Sequence, residues 1–106
     1  MNKYHNKKCI YKNMKFDSKK ERDYYIVLEM MLKNKQITDL KTQVKFELQP
    51  SFKFKGKTIR SINYIADFTY MKDGQLVIVD TKGYRTEVYK LKKKMMQFKG
   101  YDIKEI

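Results

Sequence analysis

The stretch Tyr64–Gly83 reads YIADFTYMKDGQLVIVDTKG, and it predicts the element around which the fold is built. In Tyr64–Tyr70 every second residue is an aromatic residue or alanine, and Gln75–Lys82 is rich in β-branched residues. Both patterns are typical of β-strands. Asp73-Gly74 between them favours a two-residue turn, because glycine accepts the positive φ of a type I′ hairpin. The predicted first strand places four residues on one face: Tyr64, Ala66, Phe68 and Tyr70.

The register of this hairpin brings two carboxylates together. With a two-residue turn, Asp67 lies opposite Asp80 on one face of the sheet. Like charges at such positions destabilise a sheet. A divalent cation removes the repulsion, since hard cations bind several oxygen ligands. The alternative is a solvent-exposed face on which Lys82 neutralises the pair.

The chain is strongly basic. Its 106 residues contain 25 Lys plus Arg against 12 Asp plus Glu, a formal charge of +13, and 42% are hydrophobic. We expect one folded domain over residues 1–106, with residues 1–16 loosely ordered, and a polyanionic partner, most often nucleic acid. We expect no membrane partner, because no long apolar run is present. One cysteine and a polar, basic start favour a cytoplasmic location.

A first helix is predicted from about Ser18 to Lys33. Ser18 and Glu21 fit a capping box, in which the Glu21 carboxylate reaches back to a backbone N–H. Glu21 also continues an apolar stripe formed by Tyr25, Leu28 and Leu32, so its carboxylate has a second interpretation as a site residue facing the core.

The remaining elements follow from alternation and caps. A strand is predicted at 43–49, a break at Pro50, and a resumed strand through Phe52 and Phe54 that is either core or an exposed patch for dimerisation. A second helix begins after Thr86, ends before Gly100 and carries many lysines, and a short strand follows. A solvated face is one reading of those lysines and phosphate contact is the other, which we favour. The order of elements predicts an α/β fold, an α+β sandwich in outline.

These residues resemble the PD-(D/E)XK nuclease superfamily. The resemblance lies in Glu21 on a helix, Asp67 in the hairpin, and Asp80-Thr81-Lys82 on the next strand. It implies a restriction-endonuclease-like core, α-β-β-β-α-β, around a central mixed sheet. The chain most resembles small phage and prophage nucleases of the branch that includes Holliday-junction resolvases, although Ala66 stands where the superfamily name has proline.

The resemblance implies a metal-dependent DNA endonuclease that hydrolyses phosphodiesters in branched DNA, such as Holliday junctions, during phage recombination or DNA processing. It implies Mg²⁺, with Mn²⁺ able to substitute, bound by Glu21, Asp67, Asp80 and the Thr81 carbonyl, with Lys82 as a further catalytic residue. It also implies a homodimer and, for a phage-encoded protein, the bacterial host cytoplasm. The basic surround that lets branched or duplex DNA approach is expected from Arg60, Arg85, Lys90, Lys93 and Lys94. Two other readings stay open: a non-catalytic basic nucleic-acid-binding module, and an RNA nuclease of the same fold.

Overall fold

The computed structural model describes residues 8–81 and 85–106. Within these residues the chain forms two helices and eight strands. In chain order they are β1 (Cys9–Tyr11), β2 (Met14–Phe16), α1 (Lys19–Lys33), β3 (Thr38–Gln49), β4 (Phe52–Phe54), β5 (Lys57–Ile59), β6 (Ile62–Lys72), β7 (Gln75–Asp80), α2 (Glu87–Phe98) and β8 (Ile103–Glu105).

Four strands form the central sheet in the order β3-β6-β7-β8. The pairs β3–β6 and β6–β7 are antiparallel, and β8 runs parallel to β7. A parallel pair needs a crossover connection, and α2 supplies it. The predicted α/β fold with a mixed sheet is therefore confirmed, and α1, β3, β6, β7, α2 and β8 follow the predicted order α-β-β-β-α-β.

The central hairpin has the turn that the sequence predicts. Lys72 pairs with Gln75, which leaves Asp73 and Gly74 as the loop. Their φ angles are 52° and 78°. A type I′ turn needs positive φ at both positions, and its twist matches that of the strands it joins. The turn therefore sets the register of β6 on β7.

A helix covers each face of the sheet. Val79 packs in one core cluster with Leu28 of α1, whereas its neighbour Ile78 packs in another with Tyr89 and Met96 of α2. Neighbouring residues of a strand point to opposite faces, so α1 and α2 lie on opposite sides of the sheet. The fold is thus a sandwich of helix, sheet and helix, with core on both faces of β7.

The prediction that the first hairpin strand places Tyr64, Ala66, Phe68 and Tyr70 on one face is wrong. Tyr64 and Ala66 pack in the cluster on the α2 side, whereas Phe68 and Tyr70 pack in the cluster on the α1 side. A regular strand keeps alternate residues on one face. The alternation therefore breaks at Asp67, and β6 contributes to both cores.

Helix α1 begins as predicted. The Ser18 hydroxyl accepts a hydrogen bond from the Glu21 backbone N–H at 3.1 Å, and this cap sets the first turn. Leu28 is fully buried, but Leu32 is 38% exposed. The predicted apolar stripe therefore ends one turn early, and in the last turn of α1 it is Met31, not Leu32, that packs against the core.

Two small hairpins are added to the core. Strands β1 and β2 pair with each other, and Tyr11, Met14 and Phe16 pack into the cluster on the α1 side. Part of the segment that the sequence analysis treats as loosely ordered thus forms structure, while residues 1–7 lie outside the described part of the chain.

The second small hairpin, β4–β5, forms its own two-stranded sheet and does not continue β3. Both of its phenylalanines, Phe52 and Phe54, are exposed, so they are not core. No helix in the described residues is long and apolar enough to cross a membrane.

Candidate functional site

The two hairpin carboxylates meet where the strands stop pairing. The pairs of β6 with β7 run from the turn to Phe68 and Val79, and one further step in the same register places Asp67 opposite Asp80. The predicted register is therefore the one found. Asp67 is half-buried and Asp80 is completely buried at the end of β7.

Tyr64 holds the Asp80 carboxylate. The Tyr64 hydroxyl donates a buried hydrogen bond of 2.6 Å to Asp80 Oδ2. Burial, this hydrogen bond and the charge of Asp80 raise the pKa of Tyr64 far above its usual value, so the phenol stays protonated and remains a donor. Sequence analysis missed this contact, because a regular strand would put Tyr64 on the face away from Asp80.

Thr81 holds the Asp67 carboxylate. Asp67 Oδ2 accepts hydrogen bonds from the Thr81 backbone N–H at 2.8 Å and from the Thr81 hydroxyl at 2.7 Å. The first residue after β7 is thus fastened to β6. Sequence analysis gave Thr81 a role through its carbonyl oxygen, and the structure adds a second role through its N–H and hydroxyl.

Glu21 of α1 brings a third carboxylate to the same place. Its side chain is only 4% exposed. Burial raises the pKa of Glu21 from 4.5 to about 7, with Asp67 as the next largest cause and Asp80 as a smaller one. Because both hairpin carboxylates act on it, Glu21 belongs to the same electrostatic unit, here named the acidic cluster: Glu21, Asp67 and Asp80.

The capping interpretation of Glu21 also holds in part. Its Oε1 accepts a hydrogen bond of 3.3 Å from the backbone N–H of Asp17, one residue before the cap. Its Oε2 accepts a hydrogen bond of 3.2 Å from the amide nitrogen of Gln43. One carboxylate oxygen therefore serves the helix start, and the other is held from the sheet.

Gln43 lies next to the break in alternation. Its neighbours Thr42 and Val44 pair with Phe68 and Ala66, so Gln43 occupies the β3 position opposite Asp67. Its φ of 52° is left-handed, which is uncommon for a residue with a long side chain and tends to occur at functional sites. Sequence analysis gave Gln43 no role, since no residue preference of glutamine predicts this conformation.

Comparison with protein families matches residues 1–106 to "Protein of unknown function (DUF1064)". The chain belongs to the DUF1064 family. No curated protein and no solved structure matches it. The chemistry of this DUF1064 chain is therefore argued from its own residues.

The acidic cluster has the donors that a hard divalent cation prefers. It offers carboxylate oxygens, with the Gln43 amide and Thr81 nearby. Within residues 8–81 and 85–106, however, no three His, Cys, Asp or Glu side chains are placed to hold a metal ion together. Glu21, Asp67 and Asp80 therefore do not form a ready-made three-ligand site as they are placed. Lys82, the predicted catalytic lysine, lies outside the described residues.

Glu105 organises part of the predicted basic surround in the DUF1064 chain. It pairs with Asp80 in the parallel ladder of β7 and β8. Its carboxylate forms ion pairs with Arg85 at 2.9 Å and Lys93 at 3.2 Å. It also accepts a hydrogen bond of 2.6 Å from the Tyr89 hydroxyl. These contacts, the Arg85 hydrogen bond foremost, lower the pKa of Glu105 to about 2. Sequence analysis missed Glu105, which looks like an ordinary residue of a short terminal strand.

The other predicted basic residues divide into two kinds. Lys90 pairs with Glu87 at 3.0 Å on the surface of α2. Arg60 and Lys94 are exposed and make no ion pair with any residue that the structure describes. Tyr89 is buried and its hydroxyl donates to Glu105, so its ring packs in the core and presents no exposed face for base stacking.

Proposed function

We propose that this chain is a metal-dependent DNA endonuclease of the PD-(D/E)XK type, which hydrolyses phosphodiester bonds in branched DNA such as Holliday junctions. The observation that carries the proposal is the Glu21 carboxyl, only 4% exposed, buried close enough to Asp67 and Asp80 for their charges to act on it. A chain with a formal charge of +13 has many basic residues with which to relieve this repulsion. It keeps three acidic groups together instead, as a cation-dependent site requires.

The order of elements also supports the proposal. The core follows the order α-β-β-β-α-β, with Glu21 on its first helix, Asp67 on β6 and Asp80 at the end of β7. The acid-x-Lys pattern of Asp80 and Lys82 alone is weak evidence, since charged strand ends are common. The position of Asp80 opposite Asp67, with Glu21 near both, makes it stronger.

In the proposed reaction, the residues of the acidic cluster and their hydrogen-bond partners would have different roles. Glu21, Asp67 and Asp80 would hold one or two Mg²⁺ ions, for which Mn²⁺ could substitute. Bound metal would lower the pKa of a coordinated water and neutralise charge on the phosphate. Tyr64 and Thr81 would fix the directions of Asp80 and Asp67 through the hydrogen bonds described above.

Proton loss from Glu21 is a condition for this site. Below about pH 7 the carboxyl is mostly protonated and is a poor ligand. Lys82 would stabilise negative charge in the transition state or orient the attacking water. A homodimer would allow two symmetric cuts across a four-way junction, and this too is part of the proposal.

The deciding experiment is cleavage of labelled linear, forked and four-way-junction DNA, with Mg²⁺ and with EDTA. Asp80→Asn should lower the cleavage rate by at least about a hundredfold, the scale of losing one preorganised charged group. Asp73→Asn is the matched control, because it removes the same charge at the hairpin turn, where asparagine tolerates the positive φ. Metal-dependent cutting that survives both Asp67→Ala and Asp80→Ala would overturn the proposal.

A non-catalytic nucleic-acid-binding module is the second candidate. The observation in its favour is that Asp67 and Asp80 are engaged in hydrogen bonds, with no ready three-residue metal cluster in the described residues. It predicts binding without cleavage for DNA and RNA alike, under every divalent metal tested. Cleavage of RNA but not DNA in the same assay would instead assign the RNA nuclease of this fold.

A further inference from the structure

The β4–β5 hairpin stands away from the rest of the molecule. Every residue from Pro50 to Arg60 is exposed, and the two strands pair only with each other. The turn is Lys55-Gly56, with φ angles of 50° and 78°. An isolated two-stranded hairpin is marginally stable in water, so an exposed one with apolar side chains is suited to gain stability from a partner.

One face of this hairpin carries two phenylalanines, an isoleucine and a lysine. Phe52 lies opposite Ile59, and Phe54 lies opposite Lys57. Residues directly opposite each other share a face, so these four side chains form one surface. Phe54 is 57% exposed, and Lys55 Nζ lies 5.6 Å from the centre of its ring. A cation therefore lies over one face of the ring, and more than half of the Phe54 side chain is open to solvent.

The charge of the hairpin has one sign. It carries Lys53, Lys55, Lys57 and Arg60, and the sequence has no Asp or Glu between Glu47 and Asp67. Lysine lies on both faces, since Lys53 pairs with Thr58 on the side away from the phenylalanines. Cations next to exposed aromatic rings match a polyanion whose flat groups are accessible.

We propose that the β4–β5 hairpin is a DNA-binding arm whose aromatic face stacks on bases exposed at a branch point or in a single strand, while its lysines contact phosphates. The inference deepens the proposed function, since it names how branched DNA is distinguished from plain duplex. The hairpin leaves the sheet at Ile62, five residues from Asp67, which is about 17 Å of strand. A branch held by the hairpin therefore puts nearby phosphates within reach of the acidic cluster.

Two other occupants fit the hairpin less well. A second copy of this chain, placed by two-fold symmetry, would bring one cationic hairpin against another and repel it. An anionic bilayer would have to bury the apolar face, but Lys57 lies in that face beside Phe54. A nucleic acid accepts both features, because its phosphates and base faces lie side by side.

A fluorescence experiment tests the arm directly. The chain contains no tryptophan, so Phe54→Trp introduces a single reporter. Stacking on a base should quench its emission when forked or junction DNA is added, and blunt duplex should quench it less. Leu76→Trp is the control, because Leu76 is similarly exposed but lies near the turn at the opposite end of β6. Both variants carry Asp80→Asn and are measured in EDTA, so that no DNA is cut.

Affinity provides the second measurement. Phe54→Ala should weaken binding to forked DNA roughly tenfold, the scale of one lost base–aromatic stack, and change duplex binding little. If the tryptophan emission of Phe54→Trp is not quenched in a saturated DNA complex, the proposal of a DNA-binding arm is overturned. Equal DNA affinities for Phe54→Ala and the parent would overturn it as well. So would a Phe54→Ala variant that loses only anionic-vesicle binding or self-association. Because these readouts need no cleavage, failure of the nuclease proposal leaves them interpretable.

Discussion

At the scale of single residues, Glu21 couples the site to pH. Its pKa is about 7 in the folded chain against 4.5 ordinarily, so between these values the folded state binds the proton more tightly than the unfolded state. The free energy of unfolding should therefore fall as pH rises from about 4.5 to about 7 and level off above. The loss is on the order of 3 kcal/mol, since each pKa unit is worth about 1.4 kcal/mol.

Glu21→Gln should remove most of this pH dependence. Glutamine keeps the shape but not the charge, and it has one acceptor oxygen for the N–H groups of Asp17 and Gln43. The variant should thus be as stable as the parent or about 1 kcal/mol less stable at pH 5, and more stable at pH 8. Thermal melts from pH 5 to pH 8 measure this.

The control for Glu21 is Glu87→Gln, which changes an exposed carboxylate at the start of α2. Its melting temperature should change with pH in the same way as that of the parent from pH 5 to pH 8. If Glu21→Gln also runs parallel to the parent, Glu21 is not the titrating group and the acidic cluster is not coupled as described.

At the scale of elements, Glu105 fastens α2 to the sheet. Its carboxylate forms ion pairs with Arg85 and Lys93 and accepts a hydrogen bond from the Tyr89 hydroxyl. In the pairing of β7 with β8, Glu105 lies beside Asp80. Its pKa of about 2 is below the ordinary 4.5, so its stabilising effect is complete above about pH 4.5 and is lost as pH falls toward 2. The Glu105 contacts thus add to the apolar packing of Tyr89 and Met96 that also holds α2 on the sheet.

Glu105→Gln should lower the free energy of unfolding by about 2 kcal/mol at pH 7, the scale of lost hydrogen bonds to charged groups. The deficit should shrink as pH falls toward 2, because the parent carboxylate is then protonated too. Urea denaturation at pH 7, 4 and 2.5 measures it, with Glu87→Gln expected to cost less than about 0.5 kcal/mol. A deficit that stays constant with pH would mean that lost packing, not lost charge, is the cause.

The elements that the sequence predicts are those with strong local signals. The Ser18 and Thr86 caps, the Asp73-Gly74 turn and the alternation of β3 each act within a few residues, and each is found. The N-terminal hairpin was missed because strands of three residues are too short to show a period. The change of face at Asp67 was missed because it follows from twist and from packing between two cores, which override alternation in β6.

The same division holds for the candidate site. Pairing rules bring Asp67 and Asp80 together, and a helical stripe points Glu21 toward them, so these three could be chosen from sequence. Tyr64 and Gln43 could not, because their contacts depend on the broken alternation and on a left-handed backbone angle. Local patterns thus predict which carboxylates come together, and the tertiary structure decides which residues form hydrogen bonds with them.

At the scale of the whole molecule, charge would govern the approach of the proposed DNA substrate. A net charge of +13 should make binding strongly salt-dependent, because each phosphate neutralised by Lys or Arg releases a counterion. The basic residues are not equivalent, however. Arg85, Lys90 and Lys93 are paired with carboxylates, whereas Lys94 has no such partner in the described residues. Unpaired cations are the ones ready to contact phosphate.

Lys94→Gln should therefore weaken DNA binding more than Lys90→Gln, although both remove one charge from the same helix. If Lys94 contacts a phosphate, its loss lowers the slope of log K against log salt by about 1. Lys90→Gln should change the slope less, because Lys90 is already held at 3.0 Å by Glu87. Titrations of junction DNA between low and moderate salt, in EDTA, give both slopes. Equal slopes would mean that α2 attracts DNA only through net charge, since long-range attraction is screened without regard to individual contacts.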